Sequence, residues 1–140
     1  MDLPDDPPVL RPIGRVRSTL QRREDAPKQG DEGAPEAWID FDAAVAPALA
    51  DLSAGVDVLV LTWFDRADRD VLVTRPRDDP GRPELGVFST RSPDRPNPIG
   101  LHRVGILEVE GTSLRVRDLE ALDGTPVLDV KPVLDPGTDR

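Results

Sequence analysis

Along residues 9–17 (V-L-R-P-I-G-R-V-R) apolar and basic positions alternate, the period of a half-buried β-strand, with Pro12 and Gly14 interrupting it. Residues 37–41 repeat the pattern in shorter form. The run V-D-V-L-V-L-T-W-F at 56–64 is the strongest strand signal in the chain, apolar enough to be buried on both faces. Residues 71–74 and 85–89 predict further strands, separated by the turn-rich R-P-R-D-D-P-G-R-P. Another strand follows at 101–109. Glu110-Gly111 predicts a hairpin turn into 113–118, and Asp123-Gly124 a turn into a last strand at 126–130. Asp42 is a good N-cap for A-A-V-A-P-A-L-A-D-L, a short helix with Pro47 near its first turns and Gly55 at its end.

Seven or eight strands with one short helix predict a mainly β fold with a closed sheet, since closure removes exposed edges. Strand and helix do not alternate and G-x-G-x-x-G is absent, which disfavours a Rossmann-type nucleotide site. No internal repeat is visible. Residues 1–8 are Asp/Pro-rich and predict a flexible N-terminal tail, 9–134 a single domain, and 135–140 a short C-terminal tail. The polar stretch 18–35 is long for a connection inside a compact domain, and such loops are usually functional or disordered.

Composition narrows this picture. At 140 residues the chain supports one modest core, and 37% hydrophobic content with three Phe, two Trp and no Tyr makes that core aliphatic. Cysteine is absent, which excludes disulfides and thiolate metal sites, and the single histidine, His102, excludes a histidine-rich metal site within one subunit. No apolar run approaches the roughly 20 residues that span a bilayer, and no signal-peptide pattern opens the chain, so the expectation is a soluble cytoplasmic protein with no membrane contact. A net charge of −9 argues against a general nucleic-acid coat but not against a local basic site. Sixteen of the eighteen cations are arginine, the better phosphate fork, although base composition or a saline habitat explains the average arginine here better than function does.

Two stretches carry candidate chemistry. In R-S-P-D-R-P-N-P (91–98) the rings of Pro93, Pro96 and Pro98 fix φ and push the residues before them to extended conformations. The segment is therefore close to a preset curve presenting Arg91 and Arg95 as donors and Asn97 as a two-way hydrogen bonder. Composition alone favours a rigid crossover that merely turns a corner. In D-G-T-P-V-L-D-V-K-P (123–132) Gly124 permits a tight turn that leaves N–H groups and the Thr125 hydroxyl for a polar ligand, and Asp123 suits a ribose diol or a cation. A plain Asp-Gly hairpin turn explains it as well. Lys131 is more simply a salt-bridge partner of Asp129 than a catalytic group. His102 follows a loop, where a lone histidine is more often packing or surface than a general base. Trp38, Trp63, Phe64 and Phe88 lie in predicted strands and are expected in the core, with one of them able to line a pocket.

Taken together, G-V-F-S-T-R-S-P-D-R-P-N-P-I-G-L-H-R-V followed by L-D-G-T-P-V-L-D-V-K-P-V-L resembles the TsaA-like family, also called TrmO, of S-adenosylmethionine-dependent tRNA methyltransferases. I-G-R-V-R-S (13–18) looks like that family's first strand and A-P-K-Q-G (26–30) like its P-R/K-Q loop. V-L-T-W-F-D-R-A-D-R-D-V-L (60–72) looks like the strand and turn after its helix. The resemblance implies a small closed β-barrel with one short helix, dimeric, methylating the 6-amino nitrogen of threonylcarbamoyladenosine beside the anticodon of tRNA. It implies S-adenosyl-L-methionine as co-substrate and no metal. The donor would be held by Pro27, Lys28 and Gln29, by Asp65 and Arg66, by Arg91 and Leu101, and by Asp123, Gly124, Thr125 and Pro126. Asp65 stands where family members often have His, and longer members continue past the Lys-Pro motif with an additional region.

Methyl transfer from a sulfonium is an in-line displacement in which positioning does most of the work. An acceptor aimed at the target N–H would help, and Asn97, with the carbonyls flanking Pro96 and Pro98, is the first candidate; Asp123 and His102 follow. If tRNA is the substrate, Arg15, Arg17, Arg22, Arg23, Lys28, Arg66 and Arg69 are expected to form a basic rim. Two other classes remain: the same barrel acting on a different small molecule or RNA, and a non-enzymatic S-adenosylmethionine-binding module.

Overall fold

The computed structural model describes residues 1–75 and 79–134. Six antiparallel strands close on themselves: β1 (Gly14–Arg17), β2 (Ala37–Phe41), β7 (Ser113–Arg117), β6 (Ile99–Glu110), β3 (Asp57–Trp63) and β8 (Pro126–Pro132), which returns to β1. Two short strands, β4 (Val73–Thr74) and β5 (Leu85–Gly86), pair as a separate ribbon. The predicted C-terminal tail at 135–140, and part of the turn between the ribbon strands, lie outside the described residues. Residues 1–10 are exposed and form neither strand nor helix.

The period-two pattern sets the inside of the barrel. Val16, Ile39, Val58, Val60, Val104, Leu114, Val116 and Val127 alternate with outward residues and are each at most 2% exposed. Each such side chain contributes about 1.5–3 kcal/mol when fully buried, so the aliphatic interior holds the barrel closed. Strand β3 departs from expectation: only one face is buried, because Asp57, Leu59, Leu61 and Trp63 point outward and are partly covered. A small closed barrel encloses a single face of each strand, whatever the hydrophobicity of the other.

The predicted helix is a 3-10 helix, Ala43–Leu49, whose Asp42 side chain accepts a hydrogen bond from the Ala44 N–H. Pro47 within it has no N–H to donate, which disfavours a regular α-helix over so short a span. The long loop at 18–35 is ordered into 3-10 turns at Arg23–Asp25 and Gly30–Glu32. The Asp123-Gly124 turn forms as expected: Gly124 takes φ 84°, a left-handed conformation, and its N–H bonds the Val16 carbonyl, tying the turn to β1.

Aromatic placement differs from the sequence expectation. Trp38 and Trp63 sit half-buried on the outside of the barrel, each under a guanidinium, Arg17 and Arg69 respectively, 5.2 Å from the ring centroid. Phe88 is 84% exposed. It follows β5 in a 3-10 turn in which Val87 points inward and Phe88 therefore points out.

Candidate functional site

Three loops fence one end of the barrel: 18–35, the turn after Phe64, and the proline-rich curve. Asp94 holds them together. Its Oδ1 accepts from Arg23 Nη1 at 3.0 Å and from the Asp68 N–H at 2.9 Å, and its Oδ2 accepts from Arg23 Nη2 at 2.8 Å. Burial alone would raise its pKa, but hydrogen bonds from Arg23 and Asp68, with the charges of Arg23 and Lys28, outweigh that and hold the carboxyl below the usual range. The curve is braced twice more. Arg95 donates to the Thr90 and Val87 carbonyls, and Arg69 donates to the Pro96 carbonyl at 2.7 Å and to Asn97 Oδ1 at 3.0 Å. Prolines supply no donors, so arginines from within and beside the curve satisfy its carbonyls.

Adjoining clefts of about 120 and 220 Å³ open between these loops, a third of about 250 Å³ opens between the long loop and strands β6 and β7, and Arg91 borders all three. Of the residues named from sequence, the first cleft brings together Pro27, Lys28, Asp65, Arg66, Arg91 and Thr125. Its wall is completed by apolar groups, among them Phe64, Pro93 and Leu122. Gln29 borders the second and third clefts, Leu101 the third. Asp123, Gly124 and Pro126 line none of these clefts. Asp123 Oδ1 accepts from the Ser18 N–H at 3.0 Å, and the Gly124 carbonyl accepts from Arg15 at 2.9 Å, so this turn supports the loop from behind.

Among the described residues, nothing hydrogen-bonds or ion-pairs with the Arg91 guanidinium or the Asp65 carboxylate. Both charges are left for solvent or a ligand. Arg66 is half-committed, donating to the Gln21 carbonyl at 2.9 Å. The acceptors named from sequence are all engaged within the protein. Asn97 Oδ1 and the Pro96 carbonyl face Arg69, the Pro98 carbonyl accepts from the Phe64 N–H, and Asp123 serves Ser18. His102 is 2% exposed inside the barrel, hydrogen-bonded at both ring nitrogens, to Thr62 and to Glu120.

Three of the six arginines expected to rim the site are ion-paired. Arg17 forms a two-pronged bond with Asp40, which holds that carboxyl below its usual range against the upward push of burial, with the Ser113 hydroxyl helping. Arg22 pairs with Glu24 and Asp25, and Arg23 with Asp94. Lys131 and Asp129 stand 3.9 Å apart, both exposed, a pair worth little. Glu120 was not apparent from sequence; it borders the first and third clefts and its side chain is 16% exposed.

A closed antiparallel barrel with an apolar-walled cleft carrying charges of both signs at its mouth defines a small-ligand-binding β-barrel domain. The chain belongs to the family of the tRNA-methyltransferase O N-terminal domain, TrmO_N, whose sequence profile matches residues 15–139. It is similar to an "S-adenosyl-L-methionine-binding protein" of Archaeoglobus fulgidus, 47% identical over 124 residues that cover 88% of this chain and 87% of that protein. A "Probable S-adenosyl-L-methionine-binding protein" of Methanothermobacter thermautotrophicus is 46% identical over 123 residues, 88% of each chain. The barrel matches the crystal structure of TrmO from Pseudomonas aeruginosa with a TM-score of 0.72 and 29% identity, over 96% of this chain and 61% of that one. Against another probable S-adenosyl-L-methionine-binding protein of A. fulgidus, 44% identical over 123 residues, the chain spans 33% of its length. Among the described residues no helix is long and apolar enough to cross a membrane.

Proposed function

We propose that the clefts around Arg91 bind S-adenosyl-L-methionine and that the domain transfers its methyl group to the 6-amino nitrogen of threonylcarbamoyladenosine beside the anticodon of tRNA. The observation that carries this is the convergence of Pro27, Lys28, Asp65, Arg66, Arg91 and Thr125, distant in sequence, on one cleft with an unpaired guanidinium. The donor set fits the ligand. An adenine ring suits the wall of Phe64, Pro93 and Leu122, a carboxylate suits Arg91, and a ribose or ammonium suits the carboxylates. When bound, the sulfonium supplies an activated methyl carbon, and no metal enters the reaction. The protein's share is positioning: the Asp94, Arg95 and Arg69 braces keep the curve in shape before binding, so little ordering cost remains. Asn97 enters this reading as part of the brace and acts on a substrate N–H only by sharing Oδ1 with Arg69.

The same reading makes the protein a cytoplasmic homodimer. Leu72, Val73 and Phe88 are 64%, 57% and 84% exposed on and beside the β4–β5 ribbon, an apolar surface suited to a second copy. Thr74, Arg75, Ser89 and Thr90 of the same region wall the second cleft, so a partner seated there would help complete it.

A second reading, a donor-binding module without RNA methylation, is favoured by the internal pairing of Arg17, Arg22 and Arg23, which leaves fewer cations for phosphates. Mass spectrometry of tRNA nucleosides after incubation with the protein and labelled donor decides between them. Label on threonylcarbamoyladenosine is expected. Donor bound with no label on any nucleoside would establish the second reading.

A further inference from the structure

Two of the three buried polar side chains among the described residues, Thr62 and His102, form a chain with Glu120 that ends at the clefts. Thr62 on β3 is fully buried, and its Oγ1 lies 2.7 Å from His102 Nε2 on β6. His102 Nδ1 lies 2.6 Å from Glu120 Oε1. A carboxylate accepts, so Nδ1 is the side of the ring that donates to Glu120, and the Thr62 hydroxyl can either donate to or accept from Nε2. Phe64 packs edge-on against the imidazole, ring centroids 5.7 Å apart, and closes it off. Both ring nitrogens are thus spent inside the protein, which removes His102 as a base acting on substrate and makes it a clamp on Glu120.

Glu120 Oε1 is fixed from inside, while no described residue hydrogen-bonds to Oε2. The long loop seats directly against this end: a Cβ on Gly30 would collide with the Asp118 carbonyl and lie 2.9 Å from Glu120 Oε2. Arg91 borders the same two clefts as Glu120, yet the two form no ion pair with each other. Opposite charges facing shared space without pairing are what a zwitterion requires. Holding a carboxylate there through two buried polar groups carries a desolvation cost that apolar side chains would avoid, and its return is a fixed carboxylate orientation.

We propose that Glu120 binds the α-ammonium of the donor's amino-acid tail opposite Arg91, with His102 and Thr62 as positioning residues; this rests on the reading that the cleft binds S-adenosylmethionine. The test is calorimetric and needs no turnover. S-adenosylhomocysteine carries the tail; 5′-methylthioadenosine keeps the nucleoside and lacks the ammonium and carboxylate. Glu120→Gln should weaken S-adenosylhomocysteine about 10- to 100-fold and leave methylthioadenosine unchanged. His102→Asn, whose amide can still donate to Oε1, should keep the parent's preference between the two ligands, and His102→Leu should lose it. Should the Leu variant fail to fold by thermal melting, Thr62→Val replaces it, with an expected loss of preference of about 3- to 10-fold.

Equal weakening of both ligands in Glu120→Gln, or of neither, overturns the ammonium assignment. A parent-like preference in whichever of His102→Leu and Thr62→Val folds overturns the positioning role. A parent that binds neither nucleoside sinks the donor-binding function itself and the inference with it, an outcome distinct from a variant that matches a binding-competent parent.

Discussion

Asp94→Asn tests whether the cleft is built before its ligand arrives. The carboxylate joins all three walls, through Arg23 of the long loop, the Asp68 N–H of the turn after Phe64, and its own place in the proline-rich curve. An asparagine keeps one oxygen for part of this set but turns an NH₂ toward donors, so at least one of the two Arg23 bonds is lost and a donor faces a donor. Hydrogen bonds to charged groups are worth about 1.5–3 kcal/mol when buried. Here the Asp94 side chain is 22% exposed and Arg23 50%, and solvent screening brings the expected loss to about 1–2 kcal/mol. The barrel core is untouched, so the loss falls on loop order. It reaches the ligand as a smaller binding-competent fraction, an affinity for S-adenosylhomocysteine reduced about 5- to 30-fold.

The pH dependence has a definite sign. Because the folded pKa of Asp94 lies below its unfolded value, its contribution is fully present above the unfolded value and is lost as pH falls through the folded one. The gap between parent and Asp94→Asn should stay constant from about pH 8 to 5, begin to narrow near about 4 and vanish only below the lower folded value. Calorimetry gives the affinity, and amide exchange at 22–26 and 90–97 gives the loop order. Affinities within twofold of each other, with unchanged exchange in both loops, would refute preorganisation by Asp94.

Arg91→Ala should weaken S-adenosylhomocysteine by roughly 1.5–3 kcal/mol in calorimetry without changing the melting temperature, since the guanidinium has no partner among the described residues; an unchanged affinity would give it no part in binding. Phe88→Asp should shift the protein from dimer to monomer in light scattering, and a monomeric parent would remove the ribbon as a self-association surface. Arg22→Glu should leave donor affinity intact and lower tRNA methylation several-fold at low salt. It is a cleaner probe than a double change that includes Arg23, which also braces Asp94. Equal methylation by Arg22→Glu and the parent would mean that Arg22 serves only Glu24 and Asp25.

The barrel strands were legible because each carries its own period. Residues 37–41 coincide with β2, and β3, β6, β7 and β8 fall within two residues of their expected bounds, since burial of one face imposes the alternation that sequence displays; β1 starts five residues later than expected, at Gly14, beyond Pro12. Errors came where the backbone rather than the pattern decides. The apolar outer face of β3 has the composition of a doubly buried strand, and only closure of the sheet shows that the second face is outside. Phe88 sits in a strand-like run, but the 3-10 turn Val87–Ser89 sets which of two adjacent apolar residues is buried. A two-residue choice of that kind carries no periodic signal.

The site divides along the same physical line. Pro27, Lys28, Arg66 and Arg91 lie in loops whose composition is costly unless it does something, and loops of that kind announce themselves. Glu120 has no such mark. It sits in the short link D-L-E-A-L-D between β7 and the Gly124 turn, among acidic residues that look like ordinary solvated surface. What distinguishes it is a hydrogen bond to a histidine eighteen positions earlier, which is itself held by Thr62 on the neighbouring strand. A lone histidine admits many roles in sequence, and burial at both nitrogens removes all but the structural and positioning ones. The difference between those two is thermodynamic. A merely structural His102 would make every substitution there act on stability alone, whereas a positioning His102 makes ligand preference follow whether the substitute can still donate to Glu120.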